Sequence, residues 1–182
     1  MFAKVVSIPQ QILTPIIVIF CFAGAYSVNS SYFDLSVALV SFRHGVKWGL
    51  FTGLVNGCLQ MLLGFWAPPT PTFLYFLGEV LLDYLIAFMA LGTAELFARP
   101  FKNRMVGVAF GTFMAGVLRF LCSFLSGVLV WGNLNEGLSA WTYSLVYNAS
   151  YMLPETLLTV VAAVLLARAP FRMTRACPRL TT

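Results

Sequence analysis

Charge is what this sequence has least of: 9% of its 182 residues are Asp, Glu, Lys or Arg against 60% hydrophobic, and its mean hydropathy is +0.87. A soluble domain of this size cannot cover its surface with so few polar side chains, so the chain reads as a membrane protein in contact with a lipid bilayer. There is no CxxC pair and no Cys/His cluster. Cys21, Cys58, Cys122 and Cys177 are widely spaced, which points to neither a zinc site nor a disulfide framework. The single histidine, His44, lies in the basic turn Arg43-His44-Gly45-Val46-Lys47, a setting for solvent or headgroups rather than for metal or catalysis. No Walker lysine motif occurs, so any ATP hydrolysis must come from a partner. The formal charge of +5 is dispersed in short clusters between apolar runs rather than along one stripe with interleaved aromatics, and no nucleic-acid partner is expected. No signal peptide and no cofactor are expected either.

What is present is a series of apolar stretches: Ile12 to Val28, Leu35 to Phe42, Trp48 to Phe65, Thr72 to Phe97, Met105 to Trp131 and Trp141 to Ala167. About 20 residues are needed for a helix to cross the hydrocarbon, and only Leu35 to Phe42 is far too short. The basic clusters decide its status. Lys4, the Arg43 to Lys47 turn, the Arg99 to Arg104 loop and the tail with Arg168, Arg172, Arg175 and Arg179 alternate with three connections that lack Lys and Arg: Asn29 to Asp34, Trp66 to Pro71 and Gly132 to Ala140. Six crossings with both termini in the cytoplasm put every basic cluster inside. The expected fold is therefore an all-α membrane protein, a six-helix transmembrane bundle with a short second helix. Gly45, Gly49, Gly53 and Gly57 recur every four residues, a ridge on which helix backbones can approach.

Four of the six acidic residues, Glu79, Asp83, Glu95 and Glu155, lie in or at the edge of apolar runs, as does Arg119. A charge at membrane depth costs about 2.5 to 3.5 kcal/mol even on the lenient insertion scale, so such groups usually face a protein interior or a ligand path. Glu79 and Asp83 share a helix face at i, i+4; Arg119, Ser123, Gly127 and Trp131 form a stripe on the next long segment; Tyr143, Tyr147, Asn148, Tyr151 and Glu155 share a broad face of the last, with Pro154 within it. Two readings stand. The ionisable groups Glu79, Asp83, Arg119 and Glu155 form a structural ion network, or the three faces surround a polar ligand, for which a carboxylate among aromatic faces would suit a cationic ring. An intramembrane hydrolase is not expected, because Ser123 has no membrane histidine or lysine to activate it. A citrate-like ligand would want several cationic donors, and Arg119 is the one such cation at depth.

The stretches Ser41-Phe42-Arg43-His44-Gly45-Val46-Lys47-Trp48-Gly49-Leu50-Phe51-Thr52-Gly53, Leu81-Leu82-Asp83-Tyr84, Arg119 to Trp131, Tyr143-Ser144-Leu145-Val146-Tyr147-Asn148 and Tyr151-Met152-Leu153-Pro154-Glu155 follow one another in a familiar order. From residue 41 to about 172 the chain resembles the thiamine-specific substrate-binding subunit, or S component, of energy-coupling factor transporters. The resemblance implies a six-helix, non-enzymatic subunit of the bacterial cell membrane that takes up thiamine or a thiamine-like cation from outside, together with a transmembrane coupling subunit and two ATPase subunits. It implies ligand contacts at Asp83, facing the thiazolium, and at Tyr84, Trp131, Tyr143 and Asn148, with a close backbone approach at Gly127. Ser123 stands where the family usually has a ligand-contacting histidine, which leaves another vitamin or a thiamine precursor as alternative ligands.

Residues 1–40 do not resemble the family's first helix. Ile8-Pro9-Gln10-Gln11-Ile12-Leu13-Thr14-Pro15, Gly24-Ala25-Tyr26-Ser27-Val28-Asn29 and Tyr32-Phe33-Asp34 are similar to a stretch of the large membrane subunit of tripartite tricarboxylate transporters. The implied organisation is an atypical N-terminal helix and loop (1–40), joined near Val40 as in a fusion, a vitamin-binding domain (41–172) and a basic cytoplasmic tail (173–182). A non-coupled fragment or fusion related to tricarboxylate carriers is the corresponding alternative function.

Overall fold

A computed structural model describes residues 31–65, 67–68, 72–131 and 139–168. The first apolar segment, Trp66, Pro69 and Pro71, residues 132–138, the tail from 169 onward and the side chain of Trp131 lie outside this description. The described residues form helices joined by short turns, with no strand among them: α1 (Ser31–His44), α2 (Val46–Gly64), α3 (Phe73–Leu91), the short α4 (Ala94–Ala98), α5 (Arg104–Ser126, continued by a π-helical turn Gly127–Trp131) and α6 (Ala140–Arg168). Three rods, Phe73–Leu91, Arg104–Val130 and Ala140–Arg168, are long and apolar enough to cross a membrane. The last runs through Pro154 without a break.

The short second segment is a helix of 14 residues, Ser31–His44. At helical rise it spans about 21 Å, less than the hydrocarbon thickness of roughly 30 Å. It begins earlier than expected, and Asp34, assigned from sequence to an outer connection, is a buried residue of its first turn. An acid there complements the positive end of the helix. The helix ends at Gly45, whose φ of 92° lies in the region that a side chain makes costly, and α2 starts at the next residue.

The other end of that junction is held by Glu95. Its carboxylate accepts the Val46 backbone N–H at 3.1 Å, capping α2, and pairs with Arg99 at 3.0 Å. Ser41 locks the same corner, donating to the Gly92 carbonyl at 2.6 Å and accepting from the Glu95 N–H at 3.2 Å. Burial of Glu95 is thus explained by capping and ion pairing. On the far side of the loop, the Asn103 side chain accepts the Met105 N–H at 2.9 Å and starts α5.

Three of the four glycines expected to form a ridge, Gly49, Gly53 and Gly57, pack as such, whereas Gly45 precedes the helix and forms the turn between α1 and α2. A Cβ at Gly49, Gly53 or Gly57 would fall 2.6, 2.3 and 2.5 Å from the carbonyl oxygens of Gly92, Phe88 and Tyr84, so α2 lies backbone to backbone on α3. Ala94, Ala115 and Ala163, all 0% exposed, let α4, α5 and α6 converge on Phe42 of α1 in the same way. Outward faces carry Leu62, Leu129, Leu157 and Leu165, as a lipid-facing bundle requires.

Candidate functional site

Between α2, α3, α5 and α6 lies a cavity of about 500 Å³. Its α3 wall carries Glu79, Asp83, Tyr84 and Phe88, of which Asp83 and Tyr84 sit in a π-helical stretch, Val80–Ile86. Widening of the helix there changes which side chains share a face, and such insertions are frequent at functional sites. The Ser126 hydroxyl donates to Glu79 at 3.3 Å, and Asp83 and Ser123 line the same cavity.

The α5 wall carries Arg119, Ser123 and Gly127. A Cβ at Gly127 would lie 2.3 Å from the Ser144 hydroxyl and 3.2 Å from Asn148 Nδ2, so this glycine lets α6 approach as well as lining the cavity. The α6 wall carries Tyr143, Ser144, Tyr147, Asn148 and Tyr151. Spaced at i, i+4, the three tyrosines form an aromatic row with ring centroids 5.8 and 5.6 Å apart. The Asn148 amide is well occupied: Nδ2 donates to the Ser144 carbonyl at 2.9 Å and lies 3.4 Å from that of Ser123, while Oδ1 accepts from the Tyr151 hydroxyl at 2.9 Å.

In the cavity wall, Arg119 Nη1 donates to Asp34 Oδ2 and lies 3.4 Å from Glu155 Oε1. Its guanidinium carbon is 4.8 Å from the centroid of the Phe88 ring. All three charged residues are at most 8% exposed. No ion pair joins Arg119 to Asp83 among the described residues.

Of the residues singled out from sequence, Asp83, Tyr84, Ser123, Gly127, Tyr143 and Asn148 line one cavity together with Glu79 and Arg119. Glu155 is held in the ion cluster, and the Trp131 side chain is outside the description. Sequence reasoning missed Asp34, Gln60, Phe88 and Ser144, and noted Tyr147 and Tyr151 only as part of a face. The tyrosine spacing at 143, 147 and 151 and the polar pair Asn56 and Gln60 in an apolar helix were readable signals. The partnership of Asp34 with Arg119, 85 residues away, was not.

The chain is 33% identical over 142 residues to the thiamine transporter ThiT of Bacillus subtilis (strain 168), covering 72% of this chain and 71% of that protein. It is 29% identical over 161 residues to the thiamine transporter ThiT of Lacticaseibacillus paracasei, covering 81% and 77%. A solved structure of ThiT from Listeria monocytogenes superposes with a TM-score of 0.69 over 93% of this chain and 99% of that one at 20% identity, which establishes the shared helical fold. The family model described as Thiamine transporter protein (Thia_YuaJ) matches residues 6–174, across the junction expected near Val40. With that match spanning nearly its whole length, the chain belongs to the thiamine transporter protein family and is a helical membrane protein of transport, not an enzyme.

Proposed function

We propose that this chain is the thiamine-binding membrane subunit of an ATP-driven vitamin uptake transporter, and that the cavity between α2, α3, α5 and α6 is its ligand site. The observation that carries the reading is the cavity wall itself: an acidic residue, Asp83, followed by Tyr84, lines one space of about 500 Å³ together with the row Tyr143, Tyr147 and Tyr151. That volume lies within the usual range of small-ligand sites, roughly 300 to 1,000 Å³. A thiazolium ring is a permanent cation, which a carboxylate attracts by charge and an aromatic face by its quadrupole.

In this reading Asp83 faces the thiazolium and Trp131 stacks on the ligand from the end of α5. Tyr143 and Asn148 supply polar contacts, Gly127 allows the ligand close to the backbone, and Ser123 leaves one contact shorter than a histidine would. The chain crosses the bacterial cell membrane several times with both termini in the cytoplasm, and couples to a transmembrane partner and two ATPase subunits. Calorimetric titration of the purified protein with thiamine, riboflavin, folate and citrate tests the assignment. Saturable binding of thiamine alone is expected. Preference for another vitamin or for citrate would replace it with the corresponding alternative.

A further inference from the structure

Where α1 turns into α2, basic side chains gather around one acid. The Val46 N–H and Arg99 Nη2 both contact Glu95 Oε2, at 3.1 and 3.0 Å, which pins the Arg99 guanidinium beside the first residues of α2. Lys47 is the next residue, and Arg43 lies on the other side of the turn. Arg99 holds Glu95 through Nε and Nη2; its Nη1 makes no hydrogen bond among the described residues, and its side chain is 55% exposed. Lys47 is exposed and makes no hydrogen bond or ion pair among the described residues.

Directly beyond Lys47 the outward face of α2 turns apolar. Trp48 and Phe51, each 57% exposed and set edge to face at 6.3 Å, are followed at three- or four-residue spacing by Val55, Cys58 and Leu62, all exposed. At helical rise the stripe from Trp48 to Leu62 runs about 21 Å, a length suited to an acyl chain. Cations at one end of a lipid-facing stripe, with a tryptophan at the join, complement the phosphate, the glycerol level and the chain of an anionic phospholipid in turn. A soluble anion would leave the stripe unused, and a zwitterionic lipid brings its own ammonium to its phosphate.

We infer that the α1–α2 turn, Arg99 and the outward face of α2 bind an anionic phospholipid in the leaflet that holds this turn. Lys47 and Arg99 receive the phosphate, and Trp48 and Phe51 the start of the chain. None of these four residues lines the cavity, so the lipid surface is separate from the candidate ligand site.

The test is lipid retention by the purified full chain in native mass spectrometry, after equilibration with equal amounts of phosphatidylglycerol and phosphatidylcholine of the same chain length. Wild-type protein is expected to retain phosphatidylglycerol over phosphatidylcholine by about tenfold or more, as two cations facing one phosphate should give. K47Q and R99Q are each expected to lower that preference about fivefold, the scale of one basic residue at an anionic lipid surface. R168Q, which removes an exposed cation at the end of α6, is expected to leave it unaltered. Arg99 also ties α4 to the turn, so if R99Q proves unfolded in a thermal melt, the exposed position of K47Q carries the test. A preference in K47Q within about twofold of wild type overturns the inference, as does an equal loss in R168Q, which would make net charge the cause. A wild-type protein without preference overturns it as well and leaves this face to a protein partner.

Discussion

Asp34 and Arg119, 85 residues apart in sequence, form a buried ion pair that ties the first turn of α1 to the middle of α5. Glu155 joins it from α6, so three helices meet at one guanidinium. Desolvating these groups is costly, and a buried pair is weak evidence of net stabilisation compared with apolar packing. Removing one partner is another matter, because the survivors are left charged and unpaired.

Arg119→Met is accordingly expected to destabilise the protein by about 3 to 5 kcal/mol, the usual cost of breaking a buried pair from one side. Thermal melts in detergent measure it. Adding Asp34→Asn to Arg119→Met should recover part of the loss, since one uncompensated carboxylate is removed; a double variant less stable than the single one would contradict the pairing.

The backbone contact of α2 with α3 predicts a sharp difference between two glycines of one helix. Gly53→Ala would place its methyl 2.3 Å from the Phe88 carbonyl oxygen and is expected to cost about 1 to 3 kcal/mol or more through overpacking. Gly64→Ala meets nothing within 4 Å and is expected to stay within about 0.5 kcal/mol of wild type. Equal melting temperatures for the two variants would refute the ridge.

Much of this was legible before any coordinates. Apolar runs located the long helices because a bilayer demands continuous hydrophobicity, and glycines at 49, 53 and 57 announced a backbone contact because four-residue spacing places them on one helix face. Asp83, Arg119 and Asn148 stood out because polar groups are expensive at depth. What stayed hidden was tertiary. Asp34 lay beside a run too short to span, so sequence assigned it to a connection, whereas α1 starts before it and buries it. The π-helical stretch at Val80–Ile86 has no sequence signature, and it alters how Glu79 and Asp83 face the cavity. Glu95 was flagged with the other acids for its surroundings, but its role is the cap on Val46, which only the packing of α4 against the α1–α2 junction defines.

Gathering the basic clusters on one side gives a topological prediction. The loop with Lys102 and the turn with Lys47 are expected to face the cytoplasm. A cysteine at position 102, in a background without native cysteines, is expected to react with a membrane-impermeant maleimide only after the cells are opened. Ready labelling from intact cells would contradict the six-crossing arrangement.

Trp131 closes the π-helical turn at the end of α5. If it stacks on the ligand, thiamine quenches its fluorescence and Trp131→Phe removes most of the quenching while weakening binding by about 1 kcal/mol or more, the scale of an aromatic stacking or cation–π contact. Unaltered quenching and affinity would make it an interface anchor only.

The account stands or falls on Asp83. Because no ion pair joins Asp83 to Arg119 among the described residues, Asp83→Asn leaves the three-helix ion cluster intact, and its main effect is expected on the ligand. Loss of a charge-assisted contact to a cation corresponds to about 1.5 to 3 kcal/mol, or roughly ten- to over a hundredfold in affinity. Thiamine affinity and thermal stability measured on the same Asp83→Asn preparation give the most direct test. The predicted result is a weakening of that size in a protein that melts close to wild type; normal thiamine affinity in the folded variant would contradict the assignment of this cavity as the thiamine site.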